Sequence, residues 1–299
     1  MFRKIVVIEP INILDYQKDL LKKYTKEIIF YPDIASCDDE IIKRIGDADC
    51  VLLSYTSYIN KHVIESCPNI VYIGMCCSLY SKESANVDIE CCEKLGIKVS
   101  GVRDYGDRGV IEYIIHELVG FLQGYNGLKW SKMPVEITGL KCGVVGLGTS
   151  GTMIAEALKF FGADVSYYSR TRKEHLEKSL DIKYIPLNKL CAESDALFLA
   201  LNKNVLLLQK EQFDLMTGKK ILFNTSIGPG FDPKALKEWL KDSNHFFFGD
   251  TLNTAGLLEI WDLDNAFTIN RSSGGYTLQA FERLGNKVLE NISSFLNEK

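Results

Sequence analysis

A chain of 299 residues is long enough for two domains of ordinary size, each burying its own core. With 46% apolar and 25% charged residues it has a globular balance, which excludes a disordered or low-complexity chain. A formal charge of −4 supplies no field that would recruit nucleic acid or an anionic membrane, and neither is expected as a partner.

The chain opens on a short apolar run, residues 5–8, ended by Glu9 and Pro10. A secretory signal needs about 7–15 apolar residues, so this run is read as a first buried strand and the protein as cytoplasmic. No stretch of about 18 apolar residues follows, and no membrane span is expected. Further strands are expected at 27–31, 50–54, 70–74 and 97–100, with helices at 38–44 and 87–95 between them. Residues 110–122 are apolar on nearly every side, the pattern of a helix buried between two bodies, and His116 on it reads as a satisfied interdomain histidine and not a catalyst. Residues 124–139, with Gly127, Pro134 and Gly139, read as a connector. A second α/β series follows, with strands at 141–145, 164–168, 196–201, 220–224, 245–248 and 267–269. Its helices are expected at 150–161, 187–193, 209–216 and 233–241, before a long terminal helix over 277–296.

The cysteine count, nine, is odd, and the pairs Cys76-Cys77 and Cys91-Cys92 lack the spacer of a zinc or redox motif. Cys50, Cys142 and Cys191 sit in or beside apolar runs, where cysteine behaves as a small hydrophobe. Buried, reduced thiols are expected, and no metal. His62, His175 and His245 have no partner visible in the sequence.

The strongest chemical signal lies at Gly146, Gly148 and Gly151, which carry the spacing G-x-G-x-x-G between an apolar strand and an amphipathic helix. Gly146 permits the tight turn, Gly148 lets backbone approach a pyrophosphate, and Gly151 permits close helix–strand packing. Thr149 and Ser150 lie where the helix N-terminus presents free N–H groups and partial positive charge. This is a dinucleotide site, for NAD or NADP. At the end of the next strand an acidic residue would favour NAD. Here Ser169, Arg170, Thr171 and Arg172 stand instead, hydroxyls and guanidinium groups suited to a phosphate dianion. NADP is therefore favoured over NAD, a solvated basic loop being the bland alternative.

Other segments fall into an ordered set: residues 88–99, Tyr105-Gly-Asp-Arg-Gly-Val110-Ile-Glu112, the glycine turn, residues 194–201, residues 219–228 and Gly274-Gly-Tyr-Thr277. In that order they resemble the D-isomer-specific 2-hydroxyacid dehydrogenases over nearly the whole chain. The resemblance implies two Rossmann-like, doubly wound parallel-sheet α/β domains. A cofactor domain, 102–274, would be inserted into a flavodoxin-like substrate domain, 1–101 plus 275–299. It also puts Leu201, Asn202, Thr225, Ser226 and Asp250 beside the cofactor, and implies a homodimer.

The same resemblance exposes departures. The family holds the substrate carboxylate with an Arg, exchanges the proton with a His and orients that His with a Glu. Ile227, Ser272 and Ala255 occupy the three positions, with Glu259 one helical turn beyond the last. An isoleucine cannot bind a carboxylate, and an ordinary serine cannot trade protons near neutral pH. Arg103, Tyr105 and Arg271 are the substitutes the sequence offers, to hold an anionic small-molecule substrate and donate a proton. Their bland alternative is hinge and surface side chains. Ser78, Tyr80, Ser81 and Lys82 replace the family's glycine-rich substrate loop, or form a polar surface loop. Two functions follow: an NAD(P)-dependent oxidoreductase on a carbonyl or hydroxyl compound with a rebuilt site, or a catalytically inactive NAD(P)-binding sensor or regulatory protein.

Overall fold

The computed structural model describes residues 1–125, 127–203, 205–269 and 273–298. The chain divides into two compact units, Met1–Tyr105 with Thr277–Lys299, and Gly106–Tyr276.

The first unit is built on five parallel strands: β1 (Phe2–Val7), β2 (Thr25–Phe30), β3 (Cys50–Leu53), β4 (Tyr72–Ser78) and β5 (Lys98–Val102). Their order is β2-β1-β3-β4-β5, the flavodoxin-like arrangement. Continuous apolar runs fit strands covered on both faces. Along β1, Val6 and the following Ile8 join one core, while Ile5 and Val7 join the other. The expected strand at 70–74 in fact runs on to Ser78, because Cys76 and Cys77 are buried as small apolar side chains.

The terminal helix Leu278–Asn297 belongs to this unit. Thr277 caps it by accepting from the Ala280 N–H at 3.1 Å, and Leu284, Val288, Ile292 and Phe295 form one buried stripe. A buried Gln17 ties it to the first helix, Asp15–Leu21, by donating to the Glu282 carbonyl (2.9 Å) and Asn286 Oδ1 (2.8 Å). Gly285 leaves the room, since a Cβ there would stand 1.9 Å from Gln17 Oε1.

The second unit carries seven parallel strands: β6 (Lys141–Val145), β7 (Asp164–Tyr168), β8 (Lys183–Tyr184), β9 (Ala196–Leu199), β10 (Lys220–Asn224), β11 (His245–Gly249) and β12 (Ala266–Thr268). Their order, β12-β11-β10-β9-β6-β7-β8, is the dinucleotide-binding 3-2-1-4-5-6 order with one further strand at an edge. The order reverses between β6 and β9, the switch point beyond which ligands bind in such sheets.

The helix Asp107–Gln123 buries Tyr113, Ile114, Leu118, Phe121 and Leu122 on this unit's core. The His116 side chain on this helix is 71% exposed, with Nε2 3.9 Å from the Glu117 carboxylate. Val110, Ile111, Ile115 and Val119 on the same helix are partly buried against that core. The helix Glu174–Leu180 and β8 add to the elements expected from the sequence; the helix has no buried residue and the strand is two residues long, too little pattern to see. Among the described residues no helix is long and apolar enough to cross a membrane.

Candidate functional site

The glycine turn follows β6 at the switch point. Gly146 has φ +92°, and a Cβ on it would meet the Ala200 carbonyl oxygen at 2.4 Å. A Cβ on Gly151 would stand 1.8 Å from the Gly146 carbonyl oxygen, so helix and strand pack as closely as glycine allows. Gly148 differs: its φ is −85° and nothing lies within 4 Å of a Cβ built there. That open space sits where the helix Thr149–Phe160 begins, with its unpaired N–H groups and positive dipole end. A pyrophosphate fits this cradle. Thr149 is exposed beside it, whereas the Ser150 hydroxyl is already donated to Asp107 Oδ1.

Beyond β7 the two arginines part. Arg172 donates Nε and Nη2 to Glu177 at 2.8 and 2.7 Å, and Tyr167 adds its hydroxyl to the same carboxylate at 2.7 Å. Arg172, then Tyr167, hold the Glu177 carboxyl down at about 2. Ser169 donates to the Thr171 carbonyl at 2.7 Å, closing the turn. Arg170 is exposed and makes no ion pair among the described residues.

At the ends of β9 to β11 the expected cofactor residues form a hydrogen-bonded frame. The Ser226 hydroxyl accepts from the Leu201 N–H at 2.9 Å and faces the Leu199 carbonyl at 3.4 Å. Asn224 accepts from the Ser226 N–H and donates to the carbonyls of Gly228 and Thr254, at 3.1, 3.1 and 2.9 Å. Thr225 is half-buried and Asn202 exposed. Asp250 is buried and accepts from the Gly274 N–H at 2.8 Å and the Ser273 hydroxyl at 3.0 Å; burial pushes its carboxyl up from the usual range. The Tyr113 hydroxyl, missed in the sequence because it sits in an apolar helix, is buried with no partner among the described residues.

The departures stand in the geometry. Ile227 is 59% exposed at the end of β10, and Ala255 is wholly buried. Glu259 is exposed and paired with Lys237. Arg271 and Ser272 lie outside the described residues.

Within the first unit, Arg103 donates Nε to the Leu79 carbonyl (2.6 Å) and Nη2 to the Tyr80 carbonyl (2.9 Å), with its guanidinium 5.7 Å from the Tyr80 ring centre. It remains exposed, and its Nη1 makes no hydrogen bond among the described residues. Tyr105 shares a hydrogen bond with Ser78, and burial pushes its phenol up to about 12. The Tyr105 carbonyl accepts from Arg283 Nε at 2.8 Å, which fixes the residue from behind. Asp104 between them has φ +54°, a left-handed conformation uncommon outside glycine. Ser81 accepts and gives backbone bonds with Ser84, and Lys82 is paired with Glu93 at 2.6 Å.

His245 has a partner after all: its Nδ1 lies 2.7 Å from the Trp239 carbonyl and its ring stacks on Trp239 at 4.1 Å. His62 and His175 are exposed. All nine cysteines are free, and only Cys37 is exposed. Among the described residues no three His, Cys, Asp or Glu side chains converge as a metal site.

A cofactor turn at the switch point of one α/β unit, in a chain whose other unit is flavodoxin-like, defines a nucleotide-dependent dehydrogenase fold. Residues 115–268 match the NAD binding domain of the D-isomer specific 2-hydroxyacid dehydrogenases, over half of the chain. The chain belongs to that family of oxidoreductases. It is 25% identical over 287 residues to a glyoxylate reductase of Pyrococcus furiosus, covering 86% of this chain and 82% of that one. With a hydroxypyruvate reductase of Blautia hydrogenotrophica it shares 27% over 223 residues, covering 68% and 67%. An acyclic imino acid reductase in complex with NADPH and D-Arg superposes with a TM-score of 0.83 at 23% identity, covering 99% of this chain and 98% of that one. The D-lactate dehydrogenase of Escherichia coli does so at 0.79 and 21%, covering 99% and 98%. These two share the fold.

Proposed function

We propose that the protein is an NADP-preferring reductase of a small 2-oxo acid, its catalytic groups drawn from the first unit instead of the family's Arg, Glu and His. One observation carries this reading: two backbone carbonyls aim Arg103, whose Nη1 makes no hydrogen bond among the described residues, two residues before Tyr105, a phenol that burial keeps protonated. The substrate domain, expected over 1–101 plus 275–299, is taken to include Arg103 and Tyr105 with the first unit, Met1–Tyr105 and Thr277–Lys299, and the cofactor domain, expected over 102–274, is the second unit, Gly106–Tyr276.

Arg103 holds the substrate carboxylate. When bound, NADPH supplies a hydride to the carbonyl carbon. Tyr105 gives its phenolic proton to the carbonyl oxygen, which becomes the hydroxyl, and then recovers a proton from water. Gly146, Gly148, Thr149 and Gly151 cradle the pyrophosphate, and Ser169, Arg170 and Thr171 take the extra phosphate. Leu201, Asn202, Thr225, Ser226 and Asp250 form the wall and frame along the rest of the cofactor. Half-exposed Ile111, Ile115 and Met153 on two neighbouring helices support a homodimer, which light scattering checks. A cytoplasmic location is part of the same reading.

The test is oxidation of NADPH by the purified protein with a panel of 2-oxo acids, aldehydes and quinones. No consumption above background across the panel overturns the reductase. A second reading, an inactive NAD(P)-binding sensor, draws support from the wholly buried Ala255 and the solvent-facing Ile227, which leave two of the family's catalytic positions without a polar group. It requires that nucleotide binding alters the protein with no turnover of any substrate.

A further inference from the structure

Four strands of the first sheet, adjacent in the order β1-β3-β4-β5, deliver their following segments to one carboxyl edge. Glu9, two residues past β1, is wholly buried. Its carboxylate accepts from the Ser54 N–H at 2.7 Å and from the hydroxyls of Thr56 and Ser57. An enclosed carboxylate is tolerated only where such donors replace its water. From the other side Asn86 Nδ2 donates to the carbonyls of Ser54 (2.8 Å) and Ser57 (2.6 Å). The loop is thus fixed at both ends, yet Tyr55 between them is 63% exposed. A pinned loop with a solvent-facing aromatic ring has little flexibility left to lose when something stacks on that ring. The same edge carries Tyr80, whose backbone Arg103 anchors, and Tyr105, whose hydroxyl meets Ser78.

We propose that Tyr55, Tyr80 and Tyr105 form an aromatic subsite selecting 2-oxo acids with a planar or bulky apolar side chain over two- and three-carbon ones, with Glu9 as the positioning residue of its outer wall. The assignment of a 2-oxo acid rests on the reductase reading above. Stacking on one ring is good for up to about ten-fold in affinity. Glyoxylate, which has no side chain, gains none of it.

The experiment uses the full chain with phenylpyruvate and glyoxylate as probes, read both by calorimetric binding and by NADPH oxidation. Phenylpyruvate is expected to bind at least ten-fold tighter than glyoxylate. Tyr55→Ala weakens phenylpyruvate about ten-fold and leaves NADPH affinity unchanged, and Tyr55→Phe retains the binding. Glu9→Gln raises KM for phenylpyruvate without lowering kcat. Equal affinity for the two acids, or phenylpyruvate binding indifferent to both Tyr55→Ala and Tyr80→Ala, overturns the subsite. Tyr55-dependent binding with no NADPH oxidation removes the reductase and keeps the subsite. Glyoxylate reduction without arylpyruvate binding does the reverse.

Discussion

Arg172 and Glu177, five residues apart, meet side to side through two hydrogen bonds of 2.8 and 2.7 Å. A guanidinium so engaged has its charge matched and its fork occupied. Of the two arginines beyond β7, Arg170 is therefore the one able to meet a 2′-phosphate. Arg170→Ala is expected to raise KM for NADPH about ten-fold or more, the size of one charge-assisted hydrogen bond, with KM for NADH unchanged. Arg172→Ala should leave the NADPH/NADH ratio nearly intact. Steady-state kinetics with both nucleotides decide it, and a ratio that collapses only in Arg172→Ala reverses the assignment.

The same pair sets an acid dependence. Glu177 is held at about 2 in the folded protein, below its ordinary value of 4.5. A depressed carboxyl contributes stability that is complete above the unfolded value and is lost as pH falls through the folded one. Between about pH 5 and 2 the wild type should lose melting temperature more steeply than Arg172→Ala, in which that contribution is already gone. Parallel slopes in scanning calorimetry would show that the pair adds nothing.

Gly148 and Gly151, three residues apart, should answer substitution in opposite ways. Alanine at Gly151 places a methyl 1.8 Å from a backbone oxygen that cannot move away without the turn, and a loss of several kcal/mol or failure to fold is expected. At Gly148 the methyl enters open space on a backbone that accepts alanine. Gly148→Ala should melt within about 2 °C of wild type, yet bind NADPH at least ten-fold more weakly, since the methyl fills the pyrophosphate cradle. Normal nucleotide affinity in this variant would place the cofactor elsewhere.

What could be read in the chain follows from the range of each interaction. Gly146, Gly148 and Gly151 are legible because their spacing, the preceding strand and the following helix all lie within some twenty residues. The alternation of apolar runs and amphipathic stretches exposed the α/β pattern the same way. Glu9 was invisible, since its donors lie 45–48 residues on and meet it only through the sheet. The engagement of the Ser150 hydroxyl is equally hidden, since its acceptor Asp107 lies 43 residues earlier. Cys76 and Cys77 are buried thiols as expected, but that they carry β4 on to Ser78 is not visible in a run where polar residues follow at once. The basic run beyond β7 looked uniform because the short helix holding Glu177 has no buried face to betray it.

The thiols give a direct count. Burial pushes Cys92 and Cys191 up to about 12, and lifts Cys50 and Cys76 well above the usual thiol range. Only thiolates react, and Cys37 alone is exposed among the nine. At pH 8 a disulfide reagent should titrate one thiol in the native protein and nine in denaturant. Rapid native reaction of two or more would mean that a buried pair opens readily.

Tyr105 offers the sharpest test of the chemistry. Burial is the main cause lifting its phenol to about 12, opposed by the hydrogen bond with Ser78 and helped by the nearby phenols of Tyr80 and Tyr55. A raised phenol favours the protonated state, so the stability tied to it is complete below the ordinary value near 10 and is lost only as pH climbs through 12. As a proton donor it is then loaded throughout the working range. Reduction of phenylpyruvate or glyoxylate, whichever turns over, should show no basic limb from this group up to about pH 10. Tyr105→Phe keeps the ring and removes the proton, and kcat should fall by about 10²–10⁴. Because the phenylalanine still fills the same space, KM and melting temperature should change little. If kcat survives in Tyr105→Phe, the proton comes from another group, and Arg103 is left with carboxylate binding alone.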